Sequence, residues 1–402
     1  MLAALKQYPS SVILLLSSSL LLSLGRAITL PYLVVYLSSG FDLGINDIGL
    51  MVGGALIIAS LMSVYGGYLT DKFSSYPLIL CFTICFITGF VGMCLTGSIW
   101  LFFCFLVVFN FAYSVIDVVV KATFGRLLPL NEQSRAFSVR YTLINVGHAV
   151  GPFLGACLAH MSLKLPFVVS ASLGAVFFFA YLLYGERRLN PGETTSIPLS
   201  FMAVGRVLLR DRRLVCFTLG GVLSTVVIGQ YTAYLSQYLV TTYTAEFTYQ
   251  VISAVVAVNA VVVIFLQYPL GKRISVNHLN LWLIAGLSLF LIGVTGFAMA
   301  SSVLQWSIAM LVFTLGEIIV FPTEYMFIDR IAPAALRGIY YGAQNLSNLG
   351  GALGPVLCGY ALVNYPAQWM FYMLAAFIIA GGFFYLLGAS IREDQGHNIK
   401  QP

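Results

Sequence analysis

Long apolar runs separated by short polar segments make up most of the chain. A helix needs about 20 apolar residues to cross the hydrocarbon of a bilayer. The first run is too long for the apolar region of a cleaved signal peptide, so we interpret it as an uncleaved helix. The pattern predicts twelve membrane-spanning helices, at residues 11–37, 45–70, 77–97, 99–121, 138–160, 165–184, 214–240, 249–270, 279–300, 303–326, 338–362 and 367–389.

The fifth and eleventh runs carry the same arrangement of glycine and proline. Glycines four residues apart share one helix face, where they allow a second helix to approach closely, and a proline in the run favours a kink. The residues concerned are Gly147, Gly151, Pro152 and Gly155 in the fifth run, and Gly350, Gly354 and Pro355 in the eleventh. A repeat with so long a period indicates a duplicated domain. We predict two six-helix halves, 1–184 and 214–402, joined by a polar linker, 185–213.

Composition restricts the class of protein. The chain is 60% hydrophobic and 8% charged, with a mean hydropathy of +0.94, whereas about 25% of the residues of a soluble domain are charged. The sequence therefore predicts an all-α integral membrane protein. It contains no phosphate-binding glycine loop followed by lysine and no cluster of metal-ligating residues. We expect no enzyme activity, no catalytic residues, no metal and no cofactor.

Basic residues lie almost entirely in the loops on one side of the predicted helices. On the other side only Lys164 is basic. By the positive-inside rule both termini are predicted to be cytoplasmic, in the plasma (inner) membrane. The net charge of +6 reflects this topology, so it is no argument for nucleic-acid binding. The seven cysteines fall in or beside apolar runs, where cysteine behaves as a small apolar residue, and we expect no disulfide.

Charges inside membrane spans cost about 2.5–3.5 kcal/mol each on insertion scales, so each is a candidate functional residue. Here they are Arg26 in the first span, Asp117 and Lys121 in the fourth, and Glu317 and Glu324 in the tenth. Arg140 opens the fifth span, where a long side chain can also snorkel to the interface.

The acidic residues differ in their local partners. Asp117 precedes Lys121 by four residues, the favourable order for an intrahelical pair, so either these two charges serve folding or they line a pathway. Glu317 has no base within a turn unless Arg26 reaches it, and desolvation favours its protonated form. We therefore predict that Glu317 carries the coupling proton, with Glu324 and Asp117 as the next candidates. Glu324 either extends a proton relay or sits at a wet cytoplasmic mouth.

The turn after the second span carries a recognisable motif. Gly67, Leu69, Asp71 and Lys72 match a signature of the major facilitator superfamily, whereas Ser74 and the residue after it depart from its later half. The chain resembles this family throughout in topology and duplication, and the fifth-span Gly-Pro motif is typical of the family's drug and metabolite antiporters. The segments 25–31 and 316–329 resemble efflux transporters of the YdeE type from enteric bacteria, to which export of dipeptides and sugars is attributed.

The resemblance implies a site and a gate. In the family, spans 1, 4, 7 and 10 line a central cavity, and the charges above fall on three of them. The seventh span adds candidate substrate contacts, which equally fit a packing stripe: Gln230, Tyr231, Tyr234, Gln237 and Tyr238. Asp71 is predicted to accept hydrogen bonds from a helix amino terminus and to pair with Arg126; the alternative is a surface salt bridge worth under about 1 kcal/mol. The family's usual arginine in the outer fourth helix is missing, so Arg26 or Lys121 has to supply the cavity's positive charge.

Three functions are compatible with these patterns. The first is proton-coupled efflux of small organic solutes such as drugs, dipeptides or sugars, and the Gly-Pro motif favours it. The second is proton-coupled uptake of a small metabolite. The third is a membrane sensor that transports nothing, which would need an effector domain or a long tail. The expected partners are a small-molecule substrate, protons and the lipid bilayer, without nucleic acid, and we expect a monomer.

Overall fold

The computed structural model describes residues 8–187 and 201–391, and it is helical throughout its described part. Lys6, Arg188, Pro191, Pro198, Arg392, Lys400 and the linker stretch 188–200 lie outside the described residues. The α-helices are α1 Ser10–Phe41, α2 Ile45–Lys72, α3 Ser75–Leu95, α4 Ile99–Leu127, α5 Leu130–Met161, α6 Leu165–Tyr184, α7 Phe201–Arg210, α8 Arg212–Ile228, α9 Tyr231–Thr242, α10 Ala245–Gly271, α11 Leu279–Met299, α12 Val303–Ile331, α13 Arg337–Gln344, α14 Asn348–Asn364 and α15 Trp369–Ser390.

Within the described residues eleven segments are long and apolar enough to cross a membrane, and the bent pair α8 and α9, taken as one span, makes a twelfth. The predicted all-α membrane architecture is therefore confirmed. Helices α1–α6 form the first half and α8–α15 the second, and α7 is a short amphipathic helix in the linker. Short 3-10 turns precede α11 and α13 and join α13 to α14. The basic face of the protein is the end at which Lys72, Arg126, Lys272 and Arg330 lie.

The seventh crossing is broken, which the apolar pattern did not show. Helices α8 and α9 meet at Gly229 and Gln230 with a bend of 44°. A break frees backbone carbonyls, and in an apolar setting these need a donor. The hydroxyl of Tyr234 donates to the carbonyl of Val227 at 2.7 Å and satisfies one of them.

The glycine motifs pack as the spacing predicted. A Cβ added to Gly151 would meet the Ala27 carbonyl carbon of α1 at 2.8 Å and the Ile28 nitrogen at 3.0 Å. Pro152 lies within α5, and its carbonyl accepts a hydrogen bond from the hydroxyl of Tyr32 in α1 at 2.8 Å. In the second half Gly350 is equally close to the backbone of Val222 in α8. Each half thus joins its first and fifth crossings by backbone contact.

Contacts between the halves concentrate toward the basic face. Helix α2 packs on α13, α5 packs on α10, and α4 contacts α13. Ser63 of α2 donates to the carbonyl of Gly342 at 2.8 Å, and Ser134 of α5 donates to the carbonyl of Gly271. Hydrogen bonds that join described residues of the two halves lie between this face and the level of Glu317. The halves are therefore held together at the basic face, and we call the region between them beyond the level of Glu317 the cleft.

Candidate functional site

A buried ionic cluster lies between the halves on α4 and α5. Asp117 and Lys121 form the predicted intrahelical pair at 2.9 Å. Arg140 of α5 pairs with the other carboxylate oxygen of Asp117 and is only 3% exposed. The alternative that Arg140 snorkels to the interface is therefore wrong, because a carboxylate is within reach in the interior. One acid thus serves two cations.

Lys121 also connects the two halves. Its ammonium donates to the side-chain oxygens of Gln344 and Asn345, each at 2.9 Å, and lies 4.5 Å from the centre of the Tyr325 ring. The amide of Asn345 donates in turn to Asp117 at 3.1 Å. Gln344 and Asn345 belong to the eleventh crossing, so this cluster extends from α4 into the second half. A change in its charge would act on the contact between halves.

Glu317 of α12 lies at the contact between the two halves and is 5% exposed. One carboxylate oxygen accepts a hydrogen bond from the hydroxyl of Tyr141 in α5 at 2.6 Å. The other accepts from Asn259 of α10 at 2.8 Å. Among the described residues no lysine or arginine is paired with this carboxyl. Arg26 does not reach it and instead lies over the ring of Tyr113.

Glu324 lies two turns farther toward the basic face and faces other helices. It is 3% exposed, and its Oε1 accepts from the side chain of Gln344 at 3.4 Å. The same oxygen lies 2.7 Å from where a Cβ on Gly221 of α8 would sit. The wet-mouth alternative is therefore wrong. Since Glu317 contacts α5 and α10 while Glu324 contacts α8 and α13, the structure does not bring the two acids into direct contact.

Arg26, Tyr113 and His148 occupy the part of the cleft farther from the basic face. The Arg26 guanidinium lies 5.0 Å from the centre of the Tyr113 ring, and its Nε is buried without a hydrogen-bond partner. His148 is within electrostatic reach of Arg26. It is exposed although Gly147 and Gly151 beside it are packed against α1. His148 is also two helical turns from Tyr141 and therefore shares its face, which looks toward the second half.

The candidate substrate residues of the seventh crossing divide into two groups. Tyr234 and Tyr238 are buried in the core of the second half, and the Tyr238 ring packs edge-on against Phe371 at 4.7 Å between ring centres. For these two the packing alternative fits their surroundings, because Tyr234 donates to the Val227 carbonyl of α8 and Tyr238 packs against rings of α12 and α15. Gln230 and Gln237 are exposed and Tyr231 is partly buried, so these three can meet a solute.

The gate residues make the contacts predicted for them. Asp71 accepts hydrogen bonds from the backbone nitrogens of Gly338 and Ile339, at 2.7 and 2.8 Å, at the amino terminus of α13. Arg126 pairs with the same carboxylate at 3.0 Å. A Cβ on Gly67 would lie 2.6 Å from the Ile339 Cα, so only glycine fits there. Lys72 does not join this group and instead lies over the rings of Tyr68 and Phe73.

A second ionic contact at the basic face resembles the first by pseudosymmetry. Asp329 at the end of α12 pairs with Arg337 at 3.3 Å. Arg337 donates to the carbonyl of Gly125 in α4 at 2.5 Å, which links the second half to the first. Each half therefore contributes an acid and a base that hold it against the other. In the described residues no group of three or more His, Cys, Asp or Glu is placed to hold a metal ion.

Comparison with known proteins decides the family. The family model described as Major Facilitator Superfamily matches residues 15–348. The chain belongs to the Major Facilitator Superfamily. It is 36% identical to the uncharacterized MFS-type transporter YdeE of Escherichia coli (strain K12), over 94% of this chain and 95% of that protein. It is 24% identical to the multidrug resistance protein MdtH of Klebsiella pneumoniae, over 85% of this chain and 83% of MdtH.

The fold agrees with this assignment. The solved structure of the transporter FucP in its outward conformation superposes with a TM-score of 0.76 at 15% identity, covering 94% of this chain and 99% of FucP. At that identity the likeness concerns the fold alone. The chain is thus a multi-pass membrane transporter of this superfamily rather than an enzyme.

Several residues of the site did not emerge from the sequence. Tyr141 and Asn259 hold Glu317, and Gln344 and Asn345 hold Lys121. Asn259 carried a signal that could have been used, since it is an amide at the middle of the apolar run 249–270, whose two glutamines lie near its ends. A buried amide in a membrane span needs a partner, and Glu317 provides one. Tyr141 carried no such signal, because tyrosine is common in packed interiors.

Proposed function

We propose that this protein is a proton-coupled antiporter that exports small organic solutes from the cell. The observation that carries the proposal is the placement of Glu317. Its carboxyl is buried, has no cation beside it among the described residues, and is hydrogen-bonded by one half through Tyr141 and by the other through Asn259. A proton binding there acts directly on a contact between the halves.

Ionised and protonated Glu317 make different hydrogen bonds. The ionised carboxyl offers two acceptor oxygens, which match the Tyr141 hydroxyl and the Asn259 amide. Protonation turns one oxygen into a donor, so one of the two bonds has to rearrange. If the Tyr141 bond is the one that changes, protonation weakens the contact between α5 and α12 and favours separation of the halves at this level. Proton uptake from outside would then promote the change of access.

Export and orientation rest on separate arguments. The distribution of lysine and arginine supports a cytoplasmic position for the basic face and for both termini, in the inner membrane. The structure would then represent a conformation closed to the cytoplasm. The Gly-Pro motif on α5 and the similarity to a multidrug resistance protein support export over uptake. The protein acts as a monomer, since both halves of the cleft come from one chain.

The coupling proposal is tested in proteoliposomes under an imposed pH gradient. The solute is first identified by comparing the metabolites of medium and cells with and without overexpression, and direction is assigned in inverted and right-side-out vesicles. Glu317→Gln has nearly the shape of the protonated acid and cannot titrate. It should abolish pH-driven accumulation while exchange of solute without a gradient continues. The matched control is Glu246→Gln, an exposed acid in the first turn of α10, which should accumulate solute normally.

The Glu317→Gln experiment has three distinguishable outcomes. If Glu317→Gln still concentrates solute against its gradient, then Glu317 does not carry the proton, and Glu324 and Asp117 are examined next. If exchange is lost together with accumulation while the protein folds normally, then Glu317 serves solute binding instead. Retained exchange without accumulation supports the proposal.

A further inference from the structure

The charge of Arg26 has no counterion among the residues that the structure describes. Its guanidinium lies against the Tyr113 ring, and among the described residues no aspartate or glutamate is within ion-pair distance. The nearest acid along α4 is Asp117, and that carboxylate is already occupied by Lys121 and Arg140. A cation inside a membrane span without a counterion is costly, so a site that keeps one is suited to a ligand that brings the opposite charge.

Arg26 is also held in place. A Cβ added to Gly25, the residue before it, would lie 3.5 Å from the Ser170 backbone of α6, and Ala27 after it is in contact with Gly151 of α5. The neighbouring backbone thus cannot rotate Arg26 away from Tyr113. The Tyr113 ring provides a flat surface for the guanidinium, and the quadrupole of an aromatic ring attracts a cation that lies over its face. The Nε proton donor is buried and makes no hydrogen bond within the protein.

Arg26 is only partly buried, and a neighbouring residue is exposed. His148 is exposed and within electrostatic reach of Arg26, and it shares a helix face with Tyr141. The hydrogen bonds between the halves lie nearer the basic face. A solute held in the part of the cleft away from the basic face therefore meets Arg26 and His148, whereas Glu317 lies nearer the closed end.

We propose that Arg26, with Tyr113 behind it and His148 beside it, binds a carboxylate group of the transported solute. The planar fork of guanidinium donors matches a carboxylate, which can accept two parallel hydrogen bonds from it. A single guanidinium neutralises one negative charge, so a monovalent carboxylate fits better than a phosphate dianion. This inference rests on the proposed transport function, because it takes the cleft between the halves as the solute pathway.

The test measures binding to the purified full-length protein rather than transport. The probes are acetate, benzoate and N-acetylglycine, each paired with its neutral amide, together with inorganic phosphate. A ligand that binds the folded state raises the unfolding temperature, and titration calorimetry gives the dissociation constant. At least one carboxylate should bind about tenfold or more tightly than its amide, since a charge-assisted pair replaces a neutral one.

Variants assign the effect to Arg26. Arg26→Gln should abolish the preference for carboxylate over amide, and Arg26→Lys should keep part of it because the charge stays while the fork is lost. Lys164→Gln is the matched control, since it removes an exposed cation on the far side from the basic face and should change nothing. Should Arg26→Gln fold poorly, the comparison of acid and amide on the unaltered protein still decides the question.

Three results would overturn the inference. They are equal binding of every carboxylate and its amide to the unaltered protein, stronger binding of phosphate than of any carboxylate, and an undiminished preference in Arg26→Gln. The proposed coupling function fails independently. If carboxylates bind through Arg26 while Glu317→Gln still concentrates solute, only the coupling role is wrong. If pH-driven transport depends on Glu317 but carboxylates are not preferred, only the Arg26 assignment is wrong.

Discussion

Asparagine in place of Asp71 should open the basic face. The carboxylate of Asp71 accepts hydrogen bonds from Gly338 and Ile339 and pairs with Arg126. Asparagine keeps one acceptor oxygen and can serve one of these three partners. The variant therefore loses one charge-assisted bond to a helix amino terminus, its favourable interaction with the helix dipole, and the pair with Arg126.

The size of the effect follows from these contacts. A hydrogen bond to a charged group contributes about 1.5–3 kcal/mol net. The pair with Arg126 is partly exposed, since 17% of the Arg126 side chain is accessible, and the pair contributes about 1 kcal/mol or less. Together these losses should destabilise the closed conformation by about 2–4 kcal/mol relative to the open one. At 1.4 kcal/mol per factor of ten, the equilibrium should shift about 30-fold or more.

Cysteine accessibility measures this shift. In a background without the seven native cysteines, Ser63→Cys reports on the basic face, because Ser63 is buried against the Gly342 carbonyl while that face is closed. His148→Cys reports on the opposite side of the cleft. With Asp71→Asn, labelling at position 63 should rise and labelling at position 148 should fall. Asp47→Asn, an exposed acid in the first turn of the same helix, is the control.

Unchanged labelling at both positions would refute the reasoning, because the three contacts would then contribute too little to decide which face is open. Solute binding should persist in Asp71→Asn, since Asp71 lies at the basic face and Arg26 lies deep in the cleft. Loss of binding without any change in labelling would point to a folding defect instead. Gel filtration of the purified variant distinguishes that case.

Two further substitutions test packing and charge. Gly151→Leu should lower transport and abundance, because the added side chain meets the backbone of α1 and overpacking costs about 1–3 kcal/mol. Its control is Ala156→Leu, at an exposed position of the same helix, which should be tolerated. Asp117→Asn should lower abundance as well as the transport rate, because it leaves two buried cations without their shared acid at a cost of about 3–5 kcal/mol. Its control is Asp42→Asn, which changes an exposed acid. Gel filtration of tagged protein reports abundance, and normal abundance of either buried variant would contradict the corresponding contact.

Local patterns were enough for the architecture and for part of the site. Apolar run length predicts the crossings because the bilayer sets a minimum length for a helix. The glycine spacing predicts close helix packing because residues four apart share a face. The pair of Asp117 and Lys121 lies within one helix turn, so its geometry follows from the helix alone. The Asp71 contact could be anticipated in kind because a carboxylate at a tight turn suits a helix amino terminus.

Partners far apart in the chain were decided by the tertiary structure. Helical periodicity states which residues share a face, but not which of several neighbouring helices that face meets. For this reason the sequence leaves open whether Arg140 is a functional charge or snorkels to the interface, and whether Glu324 extends a relay or sits at a wet mouth. The packing of α5 against α4 and α12 placed Arg140 on Asp117 and Tyr141 on Glu317.

The seventh crossing shows the same division. From the sequence Tyr234 and Tyr238 fit a cleft and a core equally well, because both are polar aromatic residues at helical spacing. The chain breaks by 44° at Gly229, and in α9 the Tyr234 hydroxyl bonds the Val227 carbonyl while the Tyr238 ring packs against Trp306 and Phe371. The sequence by itself thus determined how many times the chain crosses and which charges the membrane encloses. Only the tertiary structure decided which partner each charge meets, because a helix's rotation about its own axis depends on all the helices packed around it.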